Sequence, residues 1–417
     1  MPRPGGEAIM LKRSLSPAAW VWVTALCVAT PAMADDVEMS VRWLGVVPEF
    51  STSDGAFRIR PRGRLQFDVS ATEDSRFDMR NRSGTEVRSA MIGVEGDLKP
   101  LTYNVLVDFS NHATNFRNAY LAWRGPTPVG DLELSFGNRL TERTMEGSGS
   151  SETAPFLERN VVATAILPLK GSYGMGVTSR LYGRNWHVAA QVAGDDINDP
   201  GVTRDTVTTS LRGHWNPVAS PDLTVHLGAW GFHEDFSNRV TRLSRNTFWG
   251  GQHFNDALQV SLGLVERPRS ADALGLELGA FGRRAWSLME YGQRDITARP
   301  AHIVVRAWAA EAGLTLTEDR PPYGRRGGVF VRQAPAAPLS RGGKGAVELS
   351  GRWEHLDNTD APLGGLGDAV TLGVTWRPEE WLRLTMNASR WSLEQRTGGF
   401  VGEDDGESVT TRLQLSF

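Results

Sequence analysis

Residues 57–69 read FRIRPRGRLQFDV and divide by parity. Phe57, Ile59, Pro61, Gly63, Leu65, Phe67 and Val69 hold the odd positions, and Arg58, Arg60, Arg62, Arg64, Gln66 and Asp68 the even ones. Successive side chains of a strand point to opposite faces, so a strand here has one apolar face and one face bearing a column of four guanidiniums. Taken alone, the stretch also fits an edge strand of a soluble sheet, because charge along an edge discourages further pairing. The rest of the chain decides between the two.

The same alternation recurs. In 101–110, Leu101, Tyr103, Val105, Val107 and Phe109 alternate with Thr102, Asn104, Asp108 and Ser110, with Leu106 alone out of step. In 206–216, Val207, Thr209, Leu211, Gly213 and Trp215 oppose Thr206, Thr208, Ser210, Arg212 and His214. Similar runs lie near 86–97, 117–124, 131–138, 173–182, 186–194, 223–233, 273–281, 285–293, 302–316, 346–354, 369–376, 381–390 and 408–417, with weaker ones near 239–248 and 256–265. Segments of about ten residues with this dyad period, separated by turn residues, are the mark of a transmembrane barrel. Short links at 98–100, 125–130, 183–185, 282–284 and 377–380 alternate with long ones at 71–85, 139–172, 195–205, 234–272 and 391–407. Short turns on one rim and long loops on the other are how such barrels are built. Placing the two weak runs inside the 234–272 loop leaves sixteen strands, with both chain ends on one side. Residues 318–345 break the rule, being long on the short-turn side. The chain ends on Phe417 in step with Val409, Thr411, Leu413 and Leu415, an aromatic at the level of an interfacial girdle. The expected fold is therefore all-β, a sixteen-stranded antiparallel transmembrane β-barrel.

Composition fits. The 417 residues include 45 Gly, 22 Pro and 14 Trp, and after residue 34 no window reaches the ~18 apolar residues of a membrane helix. Residues 1–34 read as an export signal: Lys12 and Arg13, an apolar run, and Ala32-Met33-Ala34 ahead of Asp35-Asp36. Cys27, the single cysteine, falls within it, so no disulfide framework or thiol chemistry is expected of the mature chain. Its loss takes Arg3, Lys12 and Arg13 against Glu7, and the formal charge falls from −3 to −5. The remaining cations are 3 Lys and 39 Arg, and Arg offers carboxylate or phosphate a planar fork of donors. Residues 35–53 form a short N-terminal segment and 54–417 the barrel.

Beyond this pattern the chain resembles the phosphate-selective porins O and P family of Gram-negative outer membranes. The likeness is carried by DGAFRIRPRGRLQFD at 54–68, YNVLVDFSN at 103–111, SSETAPFLERN at 150–160 with GMG at 174–176, LGLELGAFGRRAWSLMEY at 274–291, LTEDRPPY at 316–323 and TLGVTWRPEEWLRLTMN at 371–387. The resemblance implies a homotrimer of barrels in outer-membrane lipid and lipopolysaccharide, with the third and fifth loops and one long periplasmic turn folded into the lumen. The turn would account for 318–345. The function it implies is passive diffusion of small anions, phosphate or polyphosphate among them, through an Arg-lined, water-filled pore. Arg58, Arg60, Arg62, Arg64 and Arg88 would line that pore, Ser150, Ser151 and Arg159 would stand at the constriction, and Asp108 would limit how tightly an anion is held. Where the family places a Lys ahead of the Ser pair, this chain has MEGSGSS, with Glu146 and Gly147, and Glu152 follows the pair. Arg143 is the candidate replacement. That departure leaves general anion selectivity on firmer ground than phosphate preference.

A non-selective or cation-preferring porin is the alternative, since the mature chain is acidic and fold alone does not set selectivity. Catalysis finds no motif: the eight histidines (112, 187, 214, 226, 233, 253, 302 and 355) are scattered, and neither metal, cofactor nor nucleic acid is expected. Asp195-Asp196 and GEDDGE at 402–407 read as solvated loop tips, with divalent ions bridging lipopolysaccharide as the sharper alternative.

Overall fold

The computed structural model describes residues 38–110, 113–199, 206–299 and 301–417. The expected export signal with Cys27, and His112, lie outside these residues. A hairpin, β1 (Met39–Leu44) and β2 (Val47–Thr52), comes first. The wall then runs through β3 (Phe57–Glu73), β4 (Ser83–Leu98), β5 (Leu101–Asp108), β6 (Asn115–Thr127), β7 (Gly130–Leu140), β8 (Tyr173–Tyr182), β9 (Trp186–Ala193), β10 (Val207–Trp215) and β11 (Thr224–Asp235). Between β7 and β8 lie two short helices, α1 (Met145–Ser148) and α2 (Val161–Ala165). Four short pieces follow β11: β12 (Arg242–Leu243), β13 (Asn246–Phe248), β14 (Gln259–Ser261) and β15 (Val265–Glu266). The wall resumes with β16 (Pro268–Phe281), β17 (Ala285–Ala298) and β18 (His302–Thr315), pauses at β19 (Tyr323–Gly324) and β20 (Val329–Phe330), and finishes with β21 (Ala346–Asp357), β22 (Leu366–Arg377), β23 (Leu382–Gln395) and β24 (Gly402–Ser416).

Sixteen of these strands pair antiparallel with their neighbours, and β24 returns to β3 from Glu407↔Glu73 to Ser416↔Arg64, so the barrel closes. The seam ends on Phe417 and Gly63, which exchange two backbone hydrogen bonds of 3.0 Å. A side chain at position 63 would put Cβ 2.2 Å from the Phe417 ring, so glycine is what leaves the terminal aromatic its room at the seam.

Faces follow the parity read from the sequence. On β3, Arg64, Gln66, Asp68, Ser70 and Thr72 are buried toward the lumen, while Phe67 and Val69 are 43% and 60% exposed on the outside. On β16, Leu274, Leu276 and Leu278 are exposed and Ala271, Ala273 and Glu277 are buried. Leu106, the residue out of step, sits on the lumen face. The two weak runs are loop structure as expected: β12 pairs β15 and β13 pairs β14, apart from the wall.

Two boundaries differ from expectation. The loops 71–85 and 391–407 shrink to 74–82 and 396–401, because ladder hydrogen bonds continue past the point where apolar alternation stops. GEDDGE at 402–407 is therefore strand rather than loop tip, and Asp404 is buried against the equally buried Arg80 at 2.5 Å. The short N-terminal segment carries a hairpin that extends the wall. Val41 pairs Phe50 and Phe50 pairs Ile59, an apolar row on the outer face, while Glu49 and Arg58 form an ion pair of 3.4 Å on the other.

The lumen is filled unevenly. Val161, Val162 and Ile166 of α2 and its end pack with Trp249, Leu258 and Val260 of the 236–267 loop against Trp230, Ile296, Ile303, Leu356 and Trp391 of the wall. This apolar plug occupies the side lined by β11 to β23. A second cluster joins Met145 and Phe156 to Phe281, Trp286, Leu288 and Phe330, the last from the 316–345 turn, which folds inward. The lumen face of β3 to β10 and of β24 stays largely polar.

Candidate functional site

The loop between β7 and β8 crosses the lumen, held to the far wall where Met145 N and Asn160 Nδ2 donate to Glu290 and Val161 N to Glu354, and its two short helices are capped from within. Thr144 Oγ1 accepts from Gly147 N at 2.6 Å, and Asn160 Oδ1 accepts from Ala163 N at 3.1 Å. Arg159 then ties the loop to itself, donating through Nε to the carbonyl of Glu146 at 2.8 Å and through a terminal nitrogen to that of Gly149. On the wall side, Glu158 accepts two bonds of 2.8 Å from Arg88 and one of 2.8 Å from Arg412, which also forks onto Asp68 at 2.7 Å. Burial raises the Glu158 carboxyl, yet Arg88 and Arg412 hold it far below the usual carboxylate range. Arg88 is thus a loop anchor whose charge is matched.

Beside the loop a cavity of ≈ 220 Å³ opens, lined by Arg62, Arg64, Arg139, Arg180, Ser148, Ser150, Ser151, Glu152, Tyr120 and Tyr173 among others. Its cations differ in their partners. Arg62 lies 3.2 Å from Glu95 and 3.6 Å from Glu152. Arg139 is 2.7 Å from Glu133, and Arg180 pairs with Glu142. Arg64 alone of these has no carboxylate within salt-bridge distance among the described residues. It donates to Ser89 Oγ at 3.2 Å, Met91 Sδ at 3.1 Å and Ser151 Oγ at 3.0 Å.

The structure thus gathers Arg62, Arg64, Ser150 and Ser151 in one cavity and leaves the other candidates apart. Arg58 pairs with Asp97 and Glu49, and Arg60 with Glu95, nearer the N-terminal end of β3. The column is on one face, but it is not a row of bare charges: β4 supplies Asp97 and Glu95 in register, since Arg58↔Asp97 and Arg60↔Glu95 are cross-strand partners. That matching was legible in DLKP and its flank, had β4 been laid antiparallel against β3. Asp108 accepts from Ser110 N at 3.1 Å, Ala90 N at 3.2 Å and Arg117 at 3.0 Å, and does not line the cavity. Arg143 is fully buried within the loop, donating to the Ala163 carbonyl and to Ser172 Oγ at 3.1 Å, so its guanidinium does not reach the cavity either. Glu146 is turned away, accepting from Asn160 N at 2.6 Å and lying 3.5 Å from Arg352.

Two groups escaped the sequence reading. Arg332, from the inward-folded turn, reaches Glu152 at 3.1 Å. His187, His214 and His226, scattered in the chain, stand side by side because each takes a lumen-facing position on adjacent strands; the ring centroids are 4.6 and 5.2 Å apart. His226 bonds Glu277 at 2.8 Å and the Tyr323 hydroxyl at 2.7 Å, and Arg212 forks onto Glu277 at 2.9 Å while donating to the Gly327 and Gly328 carbonyls at 3.0 and 2.7 Å. This ladder clamps the turn inside the barrel.

A family model described as phosphate-selective porin O and P matches residues 59–417. Porin O of Pseudomonas aeruginosa is 24% identical over 433 residues, covering 95% of this chain and 96% of that one. Among solved structures, in-vitro folded OmpT of Vibrio cholerae superposes with a TM-score of 0.53 at 13% identity, over 87% of this chain and 98% of that chain. The outer-membrane channel DcaP of Acinetobacter baumannii does so with a TM-score of 0.50 at 9% identity, over 88% and 99%.

Proposed function

The chain belongs to the phosphate-selective porin O and P family of the Gram-negative outer membrane, and from that premise we propose that it is an anion-preferring porin, a passive channel and not an enzyme. The observation that carries the reading is Arg64. Its guanidinium lacks a carboxylate partner among the described residues, opens on the cavity beside Ser150 and Ser151, and stands with Arg62, Arg139 and Arg180 around the polar sector of the lumen. A cation with no carboxylate in salt-bridge contact, set in a narrow, low-dielectric passage, raises the local anion concentration, and the hydroxyls replace part of the lost hydration. Coulomb attraction of roughly 4 kcal/mol at 4 Å and an effective dielectric of about 20 is enough to order ions by sign.

The solute is a small anion. With one guanidinium of that cavity lacking a carboxylate partner among the described residues, and no Lys ahead of the Ser pair, tight capture of a phosphate dianion is disfavoured. The pore works as a trimer in this reading, as the family resemblance implies. The matching of Arg62, Arg139 and Arg180 by Glu95, Glu133 and Glu142 favours the second reading, a weakly selective general porin. Reversal potentials of the purified protein in a KCl gradient distinguish the two: a potential of chloride sign is expected, and one of potassium sign rejects the anion reading.

A further inference from the structure

We propose that Glu152 is a tethered counter-anion, its carboxylate occupying an oxyanion seat between Arg62 and Arg332, and that small organic monocarboxylates cross the constriction by taking its place. The inference rests on the anion-conducting reading and deepens it.

Glu152 stands where the passages meet. The ≈ 220 Å³ cavity beside Arg64 and a narrower one of ≈ 30 Å³ walled by Arg332, Arg377 and Arg383 both include it in their lining. A third, of ≈ 230 Å³, lies by the N-terminal hairpin and shares Arg62 and Arg332 with them. Its Oε1 is 3.1 Å from Arg332 and 3.6 Å from Arg62, two guanidiniums that come from different parts of the chain and each keep 25% of their side chains exposed. Two guanidiniums converging on one carboxylate oxygen, Arg332 by a hydrogen bond and Arg62 by a longer ion pair, form a seat that fits a singly charged oxyanion. A second such group can replace the first like for like, whereas a tetrahedral dianion brings a second charge to a pair of arginines of which Arg62 is already shared with Glu95 at 3.2 Å.

The carboxylate is not what holds the loop in place. The main-chain oxygen of Glu152 accepts from Arg383 at 3.1 Å and from Gln414 at 3.1 Å, and Arg383 also reaches the Pro155 carbonyl at 2.9 Å. The side chain can therefore be changed to its amide isostere while the backbone stays anchored. That separates a role in selectivity from a role in folding.

The test uses the full-length protein in planar bilayers, with acetate and inorganic phosphate as probes of chloride current. Glu152→Gln is expected to move the reversal potential further toward chloride and to lower the half-blocking acetate concentration by about tenfold. Arg332→Gln in that background should remove the gain. In the unmodified channel acetate should block chloride current more strongly than phosphate does. Unchanged block and reversal potential in Glu152→Gln overturn the proposal, as does a gain that survives Arg332→Gln; stronger block by phosphate overturns the carboxylate assignment. If Glu152→Gln fails to assemble, Arg332→Gln alone decides: weaker acetate block supports the seat and unchanged block rejects it. A potassium-signed reversal potential in the unmodified channel would reject the anion reading itself, whereas the shift between the two proteins tests Glu152 separately.

Discussion

Single side chains on β3 carry the most direct tests. Cysteine at Arg62 or Arg64 should react with small water-soluble thiol reagents in membranes, and cysteine at Phe67 or Val69 should not; the reverse pattern would mean a register slip of one residue, which exchanges the two faces. At the seam, Gly63→Val should cut the yield of folded barrel, read as the heat-modifiable band on a gel, because its side chain claims the space of the Phe417 ring. Normal yield would show that the terminal aromatic has another place to go. Glu152 sets a pH expectation. Burial raises its carboxyl, but Arg332, Arg64 and Arg62 outweigh this and leave it below the ordinary carboxylate value of about 4.3, so the charge persists above that value and is lost only as pH falls through the lowered one. Selectivity governed by Glu152 should then be flat from about pH 8 to about pH 5, as reversal potentials across that range would reveal.

Among the elements, the inward-folded 316–345 turn depends most on a few contacts. Arg212 is fully buried and holds both Glu277 and the Gly327–Gly328 backbone. Removing one member of a buried, bonded pair leaves the other charge without its match and typically costs about 3–5 kcal/mol. Arg212→Ala should therefore loosen the turn without opening the wall, whose ladder is backbone. The expected outcome is new protease cleavage within 316–345 of the folded protein, together with larger single-channel conductance. Conductance and cleavage both unchanged would place the hold on the turn in the Phe330 cluster instead.

Across the barrel, charge matching governs behaviour. Most lumen arginines have carboxylate partners, so the net field in the pore comes from few groups and reaches only as far as salt allows. Screening shortens from about 10 Å at 0.1 M to about 3 Å at 1 M. The proposed anion preference should accordingly weaken between those two concentrations, measured as the permeability ratio from KCl gradients at each. A ratio independent of salt would point to direct contact with the bare ion at Arg64 as the source of selectivity.

Strand number, face and closure were legible in the chain because a β-strand writes its two environments at period two, and a barrel wall has apolar surroundings on one side along its whole length. The odd face of FRIRPRGRLQFDV, the alternation through β16 and the in-step Phe417 each follow from that local rule. Loop lengths beyond the apolar belt were misjudged for the same reason, since backbone pairing at Gly402–Ser416 continues where the apolar signal stops. The site was legible only in part. Which arginines keep a free charge depends on partners far apart in the chain: Glu95 across a hairpin, Glu158 and Glu152 on a loop crossing the lumen, Arg332 on a turn folded in from the far rim. The histidine ladder and the apolar plug arise likewise, from residues on separate strands that meet only when the sheet closes. Periodicity is a property of neighbours along the chain, but charge compensation in a lumen belongs to groups brought together across it, so the fold could be read from the sequence and the selectivity machinery awaited the closed barrel.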